Sequence, residues 1–348
     1  MTNRVLYFPS IRVPRGEWFA RVLLYWDSVA TIVPAEYLDD PQFLRPYTAS
    51  LIECQLLETM TPDQNIWNSG AKNNYYPAFL EFVDRHPTLV TGAPLSERVT
   101  SRIHTDKTGT GLAEALVQRG LAQVVAGPEW ARWFDVEEQT ANLLMAYLAA
   151  ILCRASALPT APITDRRECL AAFEQVRGHG APNDGTAGLV ARTEALRTTL
   201  LREILPGPAG IIRPPEIAEF KNRHADLLRR FRTSIELEIV AVATIEDPEL
   251  RAEKIERVLE GLAGQKAEIT ARMEEHRWKR IGFGTLAAVM AGGVAAADAL
   301  TSGGALTLTA SSIGLAGAVY EAFSGSRSPD ELLRQPLAYA ALAEREFV

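Results

Sequence analysis

The chain has few cysteines, and the three that it has are far apart. Cys54, Cys153 and Cys169 are odd in number, and no pair has the spacing of a zinc site. This pattern excludes a disulfide framework and predicts reduced, buried thiols. The first residues also lack a basic segment followed by a long apolar one, so no secretory signal is predicted and a cytoplasmic location is expected.

A surplus of positive charge is missing as well. The 348 residues contain 36 Lys and Arg against 43 Asp and Glu, a formal net charge of −7. Because phosphate contacts need a cationic surface, nucleic acid is not an expected partner. The 47% hydrophobic and 23% charged residues are ordinary for a globular protein with a buried core, so long disordered stretches are not expected.

Familiar catalytic signatures are absent. The five histidines show no metal-binding or general-base spacing, and neither a Gly-x-Ser-x-Gly nor a Walker sequence occurs. No metal site and no cofactor is therefore predicted. The run DKTGTG, Asp106 to Gly111, resembles the phosphorylation loop of P-type ATPases over five residues. The transmembrane bundle and nucleotide domain of those proteins are not present, so we interpret the run as a strand-to-helix turn.

Residues 1–127 predict a small α/β layer. A strand at Arg4 to Ser10, an amphipathic helix at Gly16 to Asp27 and a strand at Ser28 to Val33 form a β-α-β unit, which implies a parallel pair. A second alternation follows at Val99 to Ala126, with Gly120 in the left-handed position that closes its helix.

Helices are predicted to dominate from there on. Residues 128–205 form a helical region, with a long helix at Val136 to Ala155 and a loop at Leu158 to Asp165. Residues 206–280 form a long amphipathic helical hairpin, in which a helix from Glu216 to about Ile245 is followed by another that ends at Arg280. Such an arm, which could form a coiled coil, offers a surface for self-association or for a protein partner.

Residues 281–325 predict an apolar, Ala/Gly-rich helical hairpin, followed by a C-terminal tail at 326–348. Asp298 is the only charged residue between Ile281 and Tyr320, and two helices of membrane-spanning length fit there. Small residues recur every four positions, a spacing that lets two helices approach closely. The stripe comprises Gly284, Ala288, Gly292 and Ala296 in the first helix and Ala310, Gly314 and Ala318 in the second.

The surroundings of this hairpin are left open by the sequence. Trp278, Lys279, Arg280 and Tyr320 are typical of a membrane interface. Large aliphatic side chains, which drive insertion, are few, and the same stripes would suit a hairpin packed in a soluble bundle. A hairpin that is stored in a soluble fold and released on activation would satisfy both patterns.

The whole pattern predicts an α+β protein that is mainly α. Four residues are candidates for a catalytic site, namely Asp27, His104, Asp106 and Asp165, although helix capping and ion pairing also explain the carboxylates.

One functional hypothesis is a bacterial interaction or effector module, in a defence or stress setting, whose hairpin contacts a partner or a membrane. The alternative is a hydrolase or phosphate-handling enzyme with a site at the carboxyl edge of the N-terminal sheet, which a pocket joining Asp27, His104 and Asp106 would favour.

Several segments together carry a resemblance to a known family. They are LYFPSI, EWFARVLLYWDSVATIVP, Gly120-Leu121-Ala122 with Trp133, LPTAPITD, and a later set of Pro206, Pro208, Phe220, Arg223, His224, Phe231 and Arg232. In these the chain resembles the bacterial family called domain of unknown function 6236, over nearly its whole length. The resemblance implies a common fold and no particular activity.

A fractionation experiment tests the expected surroundings of the hairpin. We expect the full chain to stay in the soluble fraction after washes with high salt and carbonate, because its hairpin is poor in the side chains that drive insertion. A version ending near Arg280 is the comparison. Recovery of the full chain, but not of the shortened one, in carbonate-resistant membranes would contradict the expectation.

Overall fold

The computed structural model describes residues 4–39, 44–62, 65–66, 72–86, 94–125, 133–180, 186–208, 210–275 and 332–348. The fold is α+β and mainly helical, as the sequence predicts, with two small sheets. The chain divides into two compact units. Unit 1 comprises Met1–Arg202 and Gly207–Arg223, and unit 2 comprises Glu203–Pro206 and His224–Val348.

The strands whose bounds are described are β1 Arg4–Tyr7, β2 Ser28–Ile32, β3 Leu57–Met60, β4 Thr100–His104, β5 Ala122–Val124, β6 Trp133–Glu137 and β7 Thr160–Ile163. The helices are α1 Glu17–Tyr25, α2 Glu36–Asp39, α3 Pro46–Glu53, α4 Lys72–Asp84, α5 Thr110–Gln118, α6 Glu138–Ala155, α7 Arg167–Gly180, α8 Thr186–Ile204, α9 Pro214–Arg223, α10 Ala225–Ala243, α11 Pro248–Glu275 and α12 Ala338–Phe347.

A four-stranded parallel sheet organises unit 1, in the order β3-β2-β1-β7. Strand β1 lies between β2 and β7, with Val5 opposite Val29 on one side and Leu6 opposite Pro162 on the other. The predicted β-α-β unit at the start of the chain is therefore confirmed, including the parallel pairing of its strands.

Both faces of this sheet are covered by helices. Leu6 and Ile32 point into an apolar core that also contains Leu144 and Leu148 of α6. Tyr7 points the other way, toward α1. Its ring contacts the rings of Trp18 and Phe19, and Phe19 belongs to the buried face of that helix. Alternation of side chains along β1 thus accounts for the two helical layers.

The second sheet is antiparallel, in the order β4-β6-β5. The predicted strand, helix and strand of the second alternation are present as β4, α5 and β5, and Gly120 has the expected positive φ, 67°. Strand β6, which separates β4 from β5, is not predicted from the sequence. Because Trp133–Glu137 directly precedes α6, its pattern was assigned to the helical region.

Two further sequence predictions are corrected. The loop expected at Leu158 to Asp165 contains β7, because an edge strand needs ladder hydrogen bonds on only one side and so tolerates Pro162. The single helix expected from Glu216 to Ile245 is interrupted at His224, where α9 ends and α10 begins, and the division between the two units falls at the same place.

Unit 2 contains α10, α11 and α12. Asp247 caps the N-terminus of α11, because its side chain accepts hydrogen bonds from the backbone N–H groups of Glu249 and Leu250. Lys266 of α11 forms an ion pair with Glu344 of α12, 3.2 Å between Nζ and Oε2. Part of the segment predicted as a C-terminal tail is therefore the helix α12, whose buried side chains pack in this unit.

The apolar hairpin predicted at 281–325 lies outside the described residues, as do Trp278, Lys279 and Arg280. Within the described parts of the chain, no helix combines the length and the apolar character needed to cross a membrane.

Lys221 of α9 stabilises the end of α1, and its removal tests the packing of unit 1. Its buried Nζ donates hydrogen bonds to the carbonyl oxygens of Trp26 and Asp27, the two residues that connect α1 to β2. We expect Lys221→Met to lower the free energy of unfolding by about 1–3 kcal/mol in urea titrations. The exposed Lys254→Met is the control, and an equal effect of both variants would contradict this role.

Candidate functional site

A cavity of about 1300 Å³ lies in unit 1, at the carboxyl ends of β1 and β7. The segment Pro9–Pro14 leaves β1 on one side of it, and Asp165 and Arg166 follow β7 on the other. The chain continues from β1 to β2 on one side of β1, whereas β7 pairs on the opposite side. Loops diverge at such a switch point in strand order, which is where ligands bind in open parallel sheets.

His104 is completely buried in the wall of this cavity, at the end of β4. Its Nδ1 accepts a hydrogen bond of 3.2 Å from the backbone N–H of Asp106, so the neutral ring carries its proton on Nε2. That Nε2 lies 3.1 Å from Oε1 of Glu36, and the ring also meets the edge of Trp133. The arrangement places an imidazole and a carboxylate side by side on the cavity wall.

Lys107 lines the cavity from the turn that follows β4. It is only 4% exposed, and its Nζ donates to the carbonyl oxygen of Pro9 at 3.5 Å. Among the described residues, no carboxylate oxygen lies within ion-pair range of this nitrogen. Burial disfavours the charged ammonium and lowers the pKa of Lys107 to about 7.

The loops after β1 and β7 are joined by hydrogen bonds. The hydroxyl of Tyr7 donates to Oδ1 of Asp165 at 3.2 Å, and Arg166 donates to Oγ of Ser10 at 3.2 Å. Burial, together with the neighbouring Asp165 carboxylate, raises the pKa of Tyr7. Tyr7 therefore stays protonated at neutral pH and acts as a donor that holds Asp165 at the cavity.

The charge on the cavity wall is opposite to that of the whole chain. Among the described residues, its permanently charged cations are Arg12, Arg45, Arg102 and Arg166, and its carboxylates are Glu36 and Asp165. Arg102 is engaged by Asp135, with 3.0 Å between Nε and Oδ1, but the remaining cations still outnumber the carboxylates. A cavity lined by one sign of charge attracts a ligand of the other sign.

The four residues named from the sequence do not form a single site. His104 and Asp165 line the cavity, whereas Asp106 adjoins His104 without lining it. Asp27 precedes the first residue of β2, at the end of the sheet away from the cavity, and its backbone carbonyl accepts from Lys221. The trio of Asp27, His104 and Asp106 is therefore not brought together.

The sequence reading missed Lys107, Glu36, Arg12 and Arg45. Only Lys107 had a local signal, since it belongs to the run Asp106 to Gly111 that was interpreted as a turn. The backbone does form a turn there, because residues 105–107 are a 3-10 turn. Gly109 has a φ of 76°, and the Tyr76 side chain occupies the space that a Cβ atom of residue 109 would need. No three His, Cys, Asp or Glu side chains in the described residues are arranged to hold a metal ion.

The buried amine of Lys107 predicts a pH dependence of stability. An unfolded lysine has a pKa of about 10.4, so between pH 7 and that value the unfolded chain binds more protons than the folded one. The free energy of unfolding should therefore rise with pH, by at most about 1.4 kcal/mol per pH unit. Urea titrations from pH 6.5 to 9.5 should show this rise in the original chain and not in Lys107→Met.

The matched control for this measurement is Lys254→Met, which should keep the slope of the original chain because Lys254 is exposed. Parallel curves for the original chain and Lys107→Met would contradict the assignment of the slope to Lys107.

Comparison with known proteins gives no relative from which a function could be transferred. No family model, no curated protein and no solved structure matches this chain. The resemblance to domain of unknown function 6236 stays a prediction from sequence. A functional conclusion therefore has to come from the cavity itself.

Proposed function

We propose that unit 1 handles phosphorylated small molecules, which bind in the cavity at the carboxyl ends of β1 and β7. The observation that carries the proposal is the excess of arginines over carboxylates on the cavity wall, above all Arg12 and Arg45, with which no carboxylate of the described residues forms an ion pair. This corresponds to the phosphate-handling hypothesis from the sequence.

The arginines on the cavity wall favour a phosphate as the anionic group of the ligand. Arg12 and Arg45 are exposed at the cavity, and in the described part of the chain no carboxylate forms an ion pair with either of them. A guanidinium presents a planar set of donors that matches phosphate oxygens in a bidentate way. An anionic ligand would give these side chains the partner that the described residues do not.

The size and position of the cavity support a small molecule. Its volume of about 1300 Å³ accommodates a ligand of the size of a nucleotide or a sugar phosphate, as pockets for small ligands commonly do. The cations are gathered inside a concave site, whereas an extended nucleic-acid surface is disfavoured by the net charge of −7.

His104 and Glu36 support chemistry in addition to binding. With Nε2 of His104 3.1 Å from the Glu36 carboxylate, the same wall holds a pair able to give or take a proton. Proton transfer to or from a reacting oxygen is what hydrolysis of a phosphate ester requires. We infer that a reaction, where one occurs, uses His104 for this step.

The hypothesis of an interaction or effector module remains a second proposal. What supports it is the sequence of residues 281–320 and the amphipathic arm before it. It is compatible with a ligand cavity in unit 1, because the two proposals concern different parts of the chain.

Binding measurements on matched ligands test the proposed function. We expect a sugar phosphate or a nucleoside monophosphate to bind measurably by calorimetry, and the same sugar or nucleoside without phosphate to bind much more weakly. Arg12→Gln and Arg45→Gln should each weaken binding by about tenfold, since each removes a charge-assisted contact. The exposed Arg230→Gln in unit 2 is the control.

Equal binding of a ligand with and without its phosphate would contradict the proposal. So would an unchanged affinity in the double variant Arg12→Gln/Arg45→Gln.

A further inference from the structure

We propose that Lys107 is a covalent binding site for carbonyl compounds, at which its amine condenses with the aldehyde or ketone of a phosphorylated ligand to form an imine. This inference rests on the proposed function for the phosphate of the ligand, and adds the reactive group that the ligand carries. The observation behind it is a buried amine on a cavity wall that also holds arginines.

The backbone around Lys107 is fixed by three hydrogen bonds. The N–H groups of Thr108 and Gly109 donate to the carbonyl oxygen of Thr105, and that of Asp106 donates to the His104 ring. Lys107 is therefore held in a short turn between β4 and α5 while its side chain extends along the cavity wall to Pro9. The amine has a defined position before any ligand arrives.

The contacts of Lys107 leave its amine available for reaction. Its hydrogen-bond partner is a neutral carbonyl oxygen at 3.5 Å, which requires no positive charge on the nitrogen. Burial without an anionic partner favours the neutral amine, and a lysine desolvated in this way is a nucleophile near neutral pH.

Two other lysines of the chain show the difference. Lys221 is also buried, but it donates to two backbone carbonyls at the end of α1 and does not line the cavity. Lys266 is paired with the Glu344 carboxylate. Both have structural roles that keep their nitrogens occupied, whereas Lys107 faces a space large enough for a ligand.

The reaction balances without an oxidant or a reductant. The lone pair of neutral Nζ adds to the carbonyl carbon, the π electrons move to the carbonyl oxygen, and a proton passes from the nitrogen to that oxygen to give a neutral carbinolamine. Protonation of its hydroxyl lets water leave as the nitrogen lone pair forms the C=N bond, and the iminium nitrogen then gives up its proton. One water is released for each imine, and the proton transfers can be carried by solvent or by His104 on the same wall.

Borohydride trapping tests this site on the full chain, with pyridoxal 5′-phosphate as the phosphorylated aldehyde. Reduction fixes the imine as a secondary amine, which peptide mapping can place among the six lysines of the sequence. We expect labelling at Lys107 at least about tenfold faster than at the exposed Lys254, because far more of its amine is neutral at pH 7. Lys107→Met and Lys107→Arg should both lose this label.

The pH profile provides a second readout. Labelling of Lys107 should rise through about pH 7, where its amine loses a proton, whereas an ordinary lysine gains reactivity only near pH 10. Within the part of the chain that the structure describes, the other titratable side chains on the cavity wall, besides its arginines, are Tyr7, Glu36, Tyr37, His104 and Asp165. The exposed Lys254, followed in the same peptide maps, is the control and should show no midpoint near 7.

Two probes, one without the carbonyl group and one without the phosphate, separate this inference from the proposed function. If pyridoxine 5′-phosphate, which has no carbonyl, binds in the cavity while the aldehyde leaves Lys107 unlabelled, the imine site is wrong and phosphate binding stands. If pyridoxal without phosphate labels Lys107 as fast as the phosphate ester does, the imine site stands and phosphate binding is wrong. Labelling spread over the lysines according to their exposure would overturn the imine site.

Discussion

Burial of β1 on both faces and along both edges is the constraint from which the rest of unit 1 follows. A parallel strand with neighbours on each side has no solvent-exposed face, so helices have to cover it above and below. Here α1 lies against the side of Tyr7 and α6 shares the core of Leu6. The loop that leaves the carboxyl end of β1 leads to α1, whereas the loop that leaves the neighbouring end of β7 leads to α7, whose Cys169 and Val176 lie in the core of Leu6. The cavity is the space that this divergence leaves, and its position is therefore a consequence of strand order.

The cavity wall combines groups that are costly to hold in a protein interior. Lys107, which has no ion pair with any described residue, loses hydration that its contact with a carbonyl oxygen replaces only in part, and its lowered pKa reflects this loss. A buried histidine next to a carboxylate is held by one backbone N–H on its other side. Arrangements that reduce stability are expected where a ligand or a reaction makes use of them. This is why the cavity, and not the larger apolar core, is the place to assign a function.

An element of the fold could be predicted from the sequence where the residues that specify it lie close together in the chain. The helical face of α1, the strands β1 and β2, and Gly120 after α5 each have a pattern within a few residues, and all were predicted. Strand β7 is not predictable in this way, because its Pro162 suits only an edge strand and edges are defined by the sheet order. The site follows the same rule. His104 and Asp165 were named as isolated candidates, whereas Glu36, Arg12 and Arg45 acquire their meaning only when distant loops meet at the end of β1.

The proposed chemistry places a condition on the ligand. A phosphate bound directly at Lys107 would stabilise the ammonium and raise its pKa, which would remove the neutral amine that attack on a carbonyl requires. The phosphate therefore has to be neutralised elsewhere on the wall, where Arg12 and Arg45 are exposed arginines that remain charged at any physiological pH. A cavity of about 1300 Å³ gives room for this separation. The two proposals are consistent with each other only for a ligand whose carbonyl and phosphate lie at different ends, with the arginines holding the charge and the lysine meeting the carbonyl.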